Sequence, residues 1–451
     1  MPKFIARELS GWGHFPVQNC LVTRPGKARE LLEAAQSREV IDVLARGLGR
    51  SYGDAALNQG SGVILGEKLN RLLDFDAQAG VLHAQGGASF ADIIETFVPR
   101  GFFLSVTPGT KHVTLGGAIA CDVHGKNHHR VGAISNVIEQ LELLTASGET
   151  LLCSRDTNPN AFWATLGGLG LTGIILSAKM RLLPVESAWI ETQYTRTPDL
   201  ASTLEQFERD ADAQYSVAWI DCLSTGAELG RSVIISGHHA GHSCAAEQIK
   251  GDPLALELPK KKGVPFDLPD FVLNPKSVAA FNDFYYARHP DARKLTSIDT
   301  FFYPLDSVEN WNRIYGKRGF VQYQCALPLD NAQAVLTDML ETIVASGHAA
   351  FLAVLKRMGE ADNAPLGFPM PGYSLALDLP MNDDVVAFCH RLDEKVVAAG
   401  GRIYLAKDAT LAPDSFRKMY PRLGEFEAVK RQLDPDDRFA SSLSRRLEIG
   451  R

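Results

Sequence analysis

Over the first 185 residues, hydrophobic positions come in short runs or alternate with polar ones, a pattern that predicts strands. Turn residues separate the runs, among them Ala79-Gly80 and Ser147-Gly148, which indicate hairpins. We expect strands at 40–45, on both sides of the turn within 72–85, at 137–144 and 150–153, and at 173–183. Short strands mixed with few helices are typical of an α+β domain and not of a regular βαβ array.

Helices are predicted at two places in this region. Residues 25–36 have helical spacing, with Pro25 in the first turn of the segment. Ser89 and Asp92 form a Ser-x-x-Asp helix start directly before an apolar stretch. We therefore expect a short helix after each of these signals.

The composition and the hydrophobic pattern of the chain change after Pro184. Glycine becomes less frequent, and longer helical patterns appear at 332–345 and 385–399, followed by an apolar strand at 403–407. A chain of 451 residues is long enough for two or three domains. We place a domain boundary near residue 185.

Composition narrows the class of protein. With 45% hydrophobic and 22% charged residues, the chain can bury a sizeable core, which excludes global disorder. The net charge of −7 argues against a nucleic-acid-binding surface. Residues 1–10 lack the apolar segment of a secretory signal, and no run approaches a membrane span. Seven scattered cysteines without a Cys-x-x-Cys pair indicate reduced thiols, so we expect a cytoplasmic protein.

A first glycine-rich motif follows the strand at 40–45. It reads Arg46-Gly47-Leu48-Gly49-Arg50-Ser51-Tyr52-Gly53-Asp54. Glycines allow backbone amides to approach a ligand closely, and successive amides can form an anion-binding nest. The two arginines would add charge-assisted contacts to a diphosphate. A flexible surface turn is the alternative.

A second motif begins with Pro108-Gly109-Thr110 and continues through Thr114-Leu115-Gly116-Gly117. It leads into 121–129, which holds three histidines. Their spacing gives no helical His-x-x-x-His pair, and adjacent His128 and His129 point apart on any regular element. The pattern therefore does not favour a metal site.

A third motif, at 162–173, contains Gly167-Gly168-Leu169-Gly170. It has neither the Gly-x-Gly-x-x-Gly spacing of a dinucleotide fold nor the Gly-Lys-Ser/Thr of a phosphate-binding loop. One glycine-rich loop is weak evidence, but three within 130 residues, separated by strands, point to a shared cofactor.

These three motifs resemble the FAD-binding domain of the vanillyl-alcohol-oxidase-like (PCMH-type) flavoproteins. More narrowly, nearly the whole chain is similar to the oxidase branch of the decaprenylphosphoryl-β-D-ribose 2′-epimerases. The segments that carry this narrower likeness are 121–129, 311–316, 322–324, 368–372, Tyr404-Leu405-Ala406-Lys407-Asp408 and 444–447.

The resemblance implies a two-domain PCMH-type fold. Residues 1–185, rejoined by 408–451, would bind FAD non-covalently. Residues 186–407 would form a central α/β substrate domain built on an antiparallel sheet. The implied reaction oxidises the 2′-hydroxyl of a polyprenylphosphoryl-β-D-ribose to a keto group. A separate short-chain, NADH-dependent keto-reductase would then return hydride to give the arabinose epimer, in cell wall biosynthesis.

The motifs and the resemblance together define the candidate site residues. For the cofactor they are Arg46, Gly47, Leu48, Gly49, Arg50, Ser51, Tyr52, Gly53, Gly109, Thr114, Leu115, Gly116, Gly117, Cys121, His124, Ile175 and Tyr404. For the substrate they are Gln322, Gln324, Lys356 and Ser374, and the candidate catalytic residue is Lys407.

Two positions depart from the branch pattern. Ala376 stands where a well-known member has a cysteine, and Ser374 stands in place of an asparagine. Covalent inhibitors that need that thiol should not attach here. Neither departure removes a group that the redox chemistry requires, but they leave the exact sugar open.

Lys407 is a candidate for accepting or holding the proton of the hydroxyl group. A lysine of ordinary pKa, about 10.4, is a poor base at neutral pH, so its pKa would need to be lowered by burial or a nearby cation. The alternative is a surface lysine paired with Asp408. Gln322 and Gln324 alternate on a strand and therefore share one face, which would bind sugar hydroxyls or face water.

Other functions and locations stay open at this stage. An aldonolactone or sugar-alcohol oxidase of the same fold often carries a flavin-linked histidine at the place of Tyr52 and a His-Trp-Gly-Lys stretch near the C-terminus, and this chain has neither. A nucleotide-binding protein without catalysis is a third class. Residues 254–275 mix lysines, prolines and apolar residues, so they form either a lid with peripheral membrane contact or an ordinary insertion. Residence in the periplasm stays open too.

Overall fold

The computed structural model describes residues 3–257 and 261–450. The N-terminal part begins with a small mixed sheet in the order β1-β2-β4-β3, in which β1 pairs antiparallel with β2 and the other pairs are parallel. Its strands are β1 (Ile5–Ser10), β2 (Val17–Thr23), β3 (Val43–Arg46) and β4 (Gly62–Leu65). The first glycine motif leaves the end of β3.

A second, antiparallel sheet follows, in the order β5-β6-β10-β8-β9, with β7 pairing along the end of β10. Its strands are β5 (Leu72–Asp76), β6 (Val81–Gln85), β7 (Phe102–Leu104), β8 (Ile138–Leu144), β9 (Thr150–Ser154) and β10 (Ile174–Pro184). Buried residues of β6, β8 and β10 join those of two short helices in one hydrophobic core.

The third sheet, called here the large sheet, is antiparallel and runs in the order β15-β11-β13-β12-β18-β19-β17-β20. The strands from this part of the chain are β11 (Trp189–Thr197), β12 (Tyr215–Ile220), β13 (Ser232–His239), β14 (Lys262–Gly263), β15 (Ala292–Ser297), β16 (Val308–Glu309), β17 (Phe320–Pro328), β18 (Ala353–Met358), β19 (Gly372–Pro380) and β20 (Arg402–Ile403). β14 and β16 form a separate parallel pair.

Helices connect and cover these sheets. They are α1 (Ala28–Ala35), α2 (Phe90–Phe97), α3 (Leu115–Ala120), α4 (His128–Val131), α5 (Pro159–Thr165), α6 (Leu200–Arg209), α7 (His242–Gln248), α8 (Pro275–Arg288), α9 (Ile298–Phe302), α10 (Ala332–Ser346), α11 (Val385–Ala398), α12 (Pro413–Met419), α13 (Leu423–Leu433) and α14 (Ser442–Arg446). In the described ranges, none of the helices combines the length and the apolar character needed to cross a bilayer.

The two faces of the large sheet differ in chemistry. Alternate residues of β17 and β19, such as Tyr323 and Leu375, pack with α10 and α11 in the largest hydrophobic core. The opposite face carries Gln322, Gln324 and Asp378, because side chains alternate along a strand. The helices cover the apolar face of the large sheet, and its polar face is directed towards the N-terminal part of the chain.

The end of the chain returns to the first sheet. Phe439 forms a bridge with Val43 at the start of β3. Arg438 donates to the carbonyl oxygens of Ala35, Ser37, Val40 and Ile41, which lie at and beyond the end of α1. These bonds anchor the C-terminal segment on the N-terminal part.

The α+β class predicted from the sequence is confirmed, as are the hairpins at 72–85 and 137–153 and the long helices. The Ser89 side chain accepts a hydrogen bond from the Asp92 amide, so it caps α2 as predicted. The residue limits of the two domains remain a prediction.

Three predicted elements need correction. The first helix begins at Ala28 because Lys27 is extended, so Pro25 lies before it. β3 begins at Val43 and not at residue 40, because the carbonyls at 40 and 41 are bound by Arg438. The strand predicted at 403–407 ends at Ile403, after which the amide of Lys407 bonds to the carbonyl of Tyr404 in a turn.

Candidate active site

A cavity of about 650 Å³ lies between the glycine-rich loops and the polar face of the large sheet. Its volume falls in the range of cofactor and ligand sites. The walls come from 45–52, 107–110, 113–126, 169–176, 302–315 and the strands β12, β17, β18 and β19. All three glycine motifs therefore contribute to one site.

The first glycine motif presents free backbone donors to this cavity. Within the described residues, the amides of 47–51 donate to no other protein group. Gly49 has a φ of 68°, in the left-handed region that favours glycine. A Cβ on Gly47 would lie 2.2 Å from Oγ1 of Thr114, so only glycine fits between the loops. Successive open amides of this kind bind phosphate oxygens.

The two arginines of this motif have separate roles. Arg46 donates to the carbonyl oxygens of Ser10 (2.7 Å) and Ala56 (3.0 Å), which fixes the loop to its neighbours. The guanidinium of Arg50 stacks on the ring of Trp12 at 3.9 Å, and its Nε has no partner among the described residues. Arg50 is thus the arginine with bonding capacity left for a ligand.

The second glycine motif forms the start of α3. Thr114 caps the helix by accepting from the Gly117 amide at 3.2 Å. The amides of Leu115 and Gly116 donate to the carbonyls of Ala88 and Gly86. Gly116 serves close packing more than phosphate binding, because a Cβ at this position would lie 3.1 Å from the Gly86 oxygen.

A hydrogen-bonded group of side chains occupies the polar face of the large sheet. The amide nitrogen of Gln324 lies 3.0 Å from Nε2 of His124 and 3.0 Å from Oγ of Ser374. Gln322 donates to Asp378 and accepts from the amine of Lys407. The side chains of both glutamines therefore lie on the cavity side of the large sheet.

Lys407 lies at the centre of the site. Its amine is 4.7 Å from the centroid of the Tyr52 ring. Burial lowers the pKa of Lys407 to about 7, helped by the nearby charge of Lys356 and opposed by Asp378. Burial likewise raises the pKa of Asp378 to about 6. An amine with a pKa near neutrality can accept a proton under ordinary conditions.

Two further lysines line the same cavity. Burial lowers the pKa of Lys356 to about 8. Burial, with a contribution from Lys356, lowers the pKa of Lys126 to about 7, and the Lys126 amine donates to the carbonyl of Phe301. Three amines converging on one cavity favour an anionic ligand, because its charge would restore their ordinary protonation.

Neutral groups form another part of the wall. Burial holds the pKa of His124 well below its usual range, with Lys356 as the next cause, so the ring is an uncharged hydrogen-bonding partner. Burial raises the pKa of Cys121 to about 11, which keeps its thiol protonated. The Tyr404 hydroxyl donates to the Cys121 carbonyl at 2.6 Å and ties the turn after β20 to α3.

The structure brings most of the predicted residues together. Three of them do not line the cavity. Leu115 is buried in the core of the second sheet, and Gly53 packs on the Asp408 carbonyl, where a Cβ would lie 1.9 Å from the oxygen. Ser374 lies on the same face of the large sheet as Gln324, and its hydroxyl accepts from the Gln324 amide nitrogen. Its side chain therefore supports the position of Gln324.

Sequence reasoning missed two charged residues of the site, Asp378 and Lys126. Asp378 continues the alternation of Ser374 and Ala376 and stands opposite Gln322 in the register of β17 and β19. That alternation is visible in the sequence, but the pairing that makes it meaningful is not. Lys126 lies inside the histidine-rich motif at 121–129, so its position in that motif could have marked it as a site residue.

His128 and His129 have different partners, whereas the ring centroids of His124 and His128 are 6.1 Å apart. Nδ1 of His128 accepts from the Gly359 amide, and Nε2 of His129 lies 2.9 Å from the Ala213 carbonyl. Within 3–257 and 261–450, no three histidine, cysteine or acidic side chains are grouped to hold a metal ion.

Comparison with known proteins bears on this site. The family model described as an FAD binding domain matches residues 21–154, and one described as D-arabinono-1,4-lactone oxidase matches residues 314–447. The chain is 36% identical over 450 residues to decaprenylphosphoryl-β-D-ribose oxidase of Mycolicibacterium smegmatis, covering 98% of both chains.

Two other relatives are more distant. An uncharacterised protein of Streptomyces coelicolor is 33% identical over 366 residues, which cover 79% of this chain and 99% of that protein. L-gulonolactone oxidase of Mus musculus is 24% identical over 442 residues, covering 93% and 92% of the two chains. The match to the mycobacterial oxidase spans both the glycine loops and the polar face.

Proposed function

The chain belongs to the family of FAD-binding oxidoreductases that includes decaprenylphosphoryl-β-D-ribose oxidase, and from this premise we propose that it oxidises the 2′-hydroxyl of a polyprenylphosphoryl-β-D-ribose to a 2′-keto sugar. The observation that carries the proposal is the Lys407 amine, which lies between Tyr52 and Gln322 with a pKa lowered by burial to about 7. Alcohol oxidation needs such a proton acceptor beside the carbon that loses hydride.

The glycine-rich side of the cavity fits FAD. The free amides of 47–51 suit the oxygens of a diphosphate, and the Nε of Arg50 adds a charged donor. Cys121, His124, Ile175 and Tyr404 also line the cavity, and His124 contacts Gln324 of the large sheet. FAD, when bound, supplies the acceptor for the hydride that leaves the sugar carbon.

FAD is held without a covalent bond in this proposal. Tyr52 stands in the cavity wall where oxidases with a tethered flavin carry a histidine. Burial, with Asp378 as the next cause, raises the pKa of Tyr52 well above its usual value, so the phenol stays protonated. Its ring packs against Phe320, with 5.5 Å between the ring centroids.

The proton and the hydride of the alcohol leave by different routes. The neutral amine of Lys407 accepts the hydroxyl proton while the carbon loses hydride. The alcohol thereby loses two electrons and becomes a ketone. Gln322 holds the amine, and Asp378 holds Gln322. Tyr315 donates to Asp378 at 3.3 Å and completes this chain of contacts.

The remaining lysines suit the phosphate of the substrate. Lys126 and Lys356 line the same cavity as Lys407, and the amide oxygen of Gln324 can accept from sugar hydroxyls. A neutral lactone would leave buried amines without a counter-charge, which disfavours a lactone oxidase. The match of residues 314–447 to a lactone oxidase model keeps that activity as the alternative to test.

Peripheral membrane contact is the second part of the proposal. Phe266, Phe271 and Phe284 are 63%, 77% and 64% exposed, and α8, which carries Phe284, also lines the cavity with Phe281 and Tyr285. Exposed aromatic side chains beside a cavity suit a site that receives a lipid chain from a membrane surface. Of the segment 254–275, residues 258–260 lie outside the described residues, so its role as a lid stays a prediction.

The keto product requires a second enzyme. A 2′-keto sugar becomes the arabinose epimer only when hydride returns to the opposite face, which is the work of a reductase. We infer that a short-chain, NADH-dependent keto-reductase is the partner, and that both act at the cytoplasmic side of a membrane. Addition of such a reductase and NADH to the oxidised product should yield the arabinose form.

Non-covalent binding predicts that all flavin leaves the protein on acid precipitation. The purified yellow protein is precipitated, the pellet is washed, and the flavin absorbance of both fractions is measured. Released cofactor should co-elute with FAD. Flavin that stays with the washed pellet would overturn the non-covalent proposal.

The substrate proposal predicts rapid bleaching of the flavin without oxygen. Under anaerobic conditions, a polyprenylphosphoryl ribose should remove the visible absorbance, while free ribose and D-arabinono-1,4-lactone should act at least about 100-fold more slowly, since they lose remote binding energy. A comparable kcat/KM for the lactone would establish the alternative instead.

Lys407→Ala should slow single-turnover flavin reduction by about 100-fold or more, the usual value of general-base help. In the unaltered protein the neutral amine is the active form, so the rate should rise with pH through about 7 and level off above it. Lys407→Arg should not restore the rate, because arginine cannot give up its proton.

Lys395→Ala is the matched control for this variant, because Lys395 pairs with Asp338 on the outer surface of α11 and α10. Its reduction rate should equal that of the unaltered protein. A near-normal rate for Lys407→Ala with full FAD occupancy would remove Lys407 from the mechanism.

The membrane proposal predicts a defect that depends on how the substrate is presented. Phe266→Ser with Phe271→Ser should slow oxidation of substrate carried in phosphatidylglycerol vesicles by about tenfold or more, the loss expected for apolar side chains that no longer enter the bilayer. Oxidation of a short-chain, water-soluble substrate should not change. Ile41→Ser, which alters an isoleucine 90% exposed at the other end of the chain, is the control. Equal rates for all variants on vesicles would contradict membrane contact.

A further inference from the structure

Two chain segments that flank the proposed reaction centre meet behind the wall of the cavity. One is Tyr52-Gly53-Asp54, at the end of the first glycine motif, and the other is Ala406-Lys407-Asp408. The amide of Tyr52 donates to the carbonyl of Ala406 at 3.4 Å. The backbones at Gly53 and Asp408 are so close that a Cβ on Gly53 would lie 1.9 Å from the Asp408 oxygen. Any shift of one segment is therefore transmitted to the other.

Arg446, in the last turn of α14, joins these segments. Its guanidinium binds both oxygens of Asp54, at 2.9 and 2.6 Å, and also binds Asp408 at 2.9 Å. A fourth bond, of 2.7 Å, goes to the carbonyl of Leu411. The second oxygen of Asp408 accepts the amides of Thr410 and Leu411. Both carboxylates of this bridge are therefore hydrogen-bonded within the protein.

The bridge holds two buried acids of like charge. Asp54 and Asp408 are both almost fully buried, whereas a quarter of the Arg446 side chain is exposed. Without the arginine, the two carboxylates would face each other in a region of low dielectric constant, where their repulsion is strong. The two segments would then move apart, and Lys407 would move with Asp408.

Arg446 does not reach the cavity itself, so any effect on the reaction passes through the two acids. Its partner Asp54 follows the flavin-binding loop and Asp408 follows Lys407 directly. The Lys407 amine lies over the ring of Tyr52, 4.7 Å from the centroid, so both partners of this contact are next to an acid that Arg446 binds or one residue removed from it.

We propose that Arg446 is a positioning residue that couples the FAD-binding loop to Lys407, so that cofactor affinity and alignment of the proton acceptor depend on one guanidinium. The inference rests on the proposed function for its catalytic consequence. Its structural part, the coupling of loop 46–54 to Lys407, is testable without any sugar substrate.

The test compares Arg446→Gln with Arg445→Gln. Arg445 is the neighbouring arginine of α14 and binds Asp42 at 3.2 Å and Asn58, so it also anchors the helix on the N-terminal part but has no contact with the Lys407 segment. Both variants should lower the unfolding temperature of the FAD-free protein. Only Arg446→Gln should alter the behaviour of Lys407.

Two readouts report on Lys407. The first is a pH titration of the visible spectrum of bound FAD, which should be absent in Lys407→Met. In Arg446→Gln its midpoint should move upward, because a displaced Lys407 amine loses part of the burial that lowers its pKa. The second is single-turnover flavin reduction at saturating polyprenylphosphoryl ribose, which should slow by about 10- to 100-fold through loss of alignment, with KM less affected.

The outcomes separate the two ideas. If the unaltered protein is not reduced by the sugar, the proposed function fails, while the spectral titration still judges the role of Arg446. An unchanged midpoint and FAD dissociation constant in Arg446→Gln would overturn the coupling. Arg446→Lys supplies the charge but not the paired contacts, so it should restore the midpoint and the rate only in part.

A second variant covers the case in which Arg446→Gln does not fold. Asp54→Asn, Asp408→Asn and Arg446→Met together remove the bridge without leaving a buried carboxylate unpaired. This variant should fold, bind FAD more weakly and show a slower reduction than the unaltered protein. If it reduces flavin at the normal rate and binds FAD with unchanged affinity, the positioning role is wrong.

Discussion

The proposed reaction depends on keeping the Lys407 amine out of bulk water. An exposed lysine would be fully charged at neutral pH, whereas burial lowers the pKa of Lys407 to about 7. Burial of an amine is costly unless its hydrogens are bonded, and Gln322 provides an acceptor. Asp378 in turn orients Gln322. The polar face of the large sheet is thus organised around one partly neutral amine.

The rest of the fold makes this face rigid. α10 and α11 pack on the opposite side of β17 and β19. Tyr323, between the two glutamines, therefore lies in the largest core. Loops on the N-terminal side complete the site with backbone atoms, because free amides and glycines leave room for a large anionic ligand. Side-chain chemistry on one wall and backbone donors on the other suit a cofactor and a substrate that meet between them.

Local sequence signals predicted much of this arrangement. Turn residues placed the hairpins, Ser89 placed the start of α2, and the alternation of Gln322 and Gln324 placed both on one face. Contacts between distant segments could not be read in the same way. Asp378 becomes part of the site only through the register of β17 with β19. A local turn was missed as well, since the strand expected at 403–407 stops early where the Lys407 amide bonds to Tyr404. Leu115 and Ser374 lie beside the cavity without lining it, so their predicted roles at the site stay predictions.

The return of the C-terminal segment to the first sheet affects when the protein can mature. Arg438 binds carbonyls up to 403 positions earlier in the chain, and Phe439 bridges to Val43 at the root of the first glycine motif. These contacts form only after the whole stretch from β3 to residues 438–439 has been synthesised. The first glycine motif therefore keeps an unsupported root until the C-terminal segment has folded back on β3.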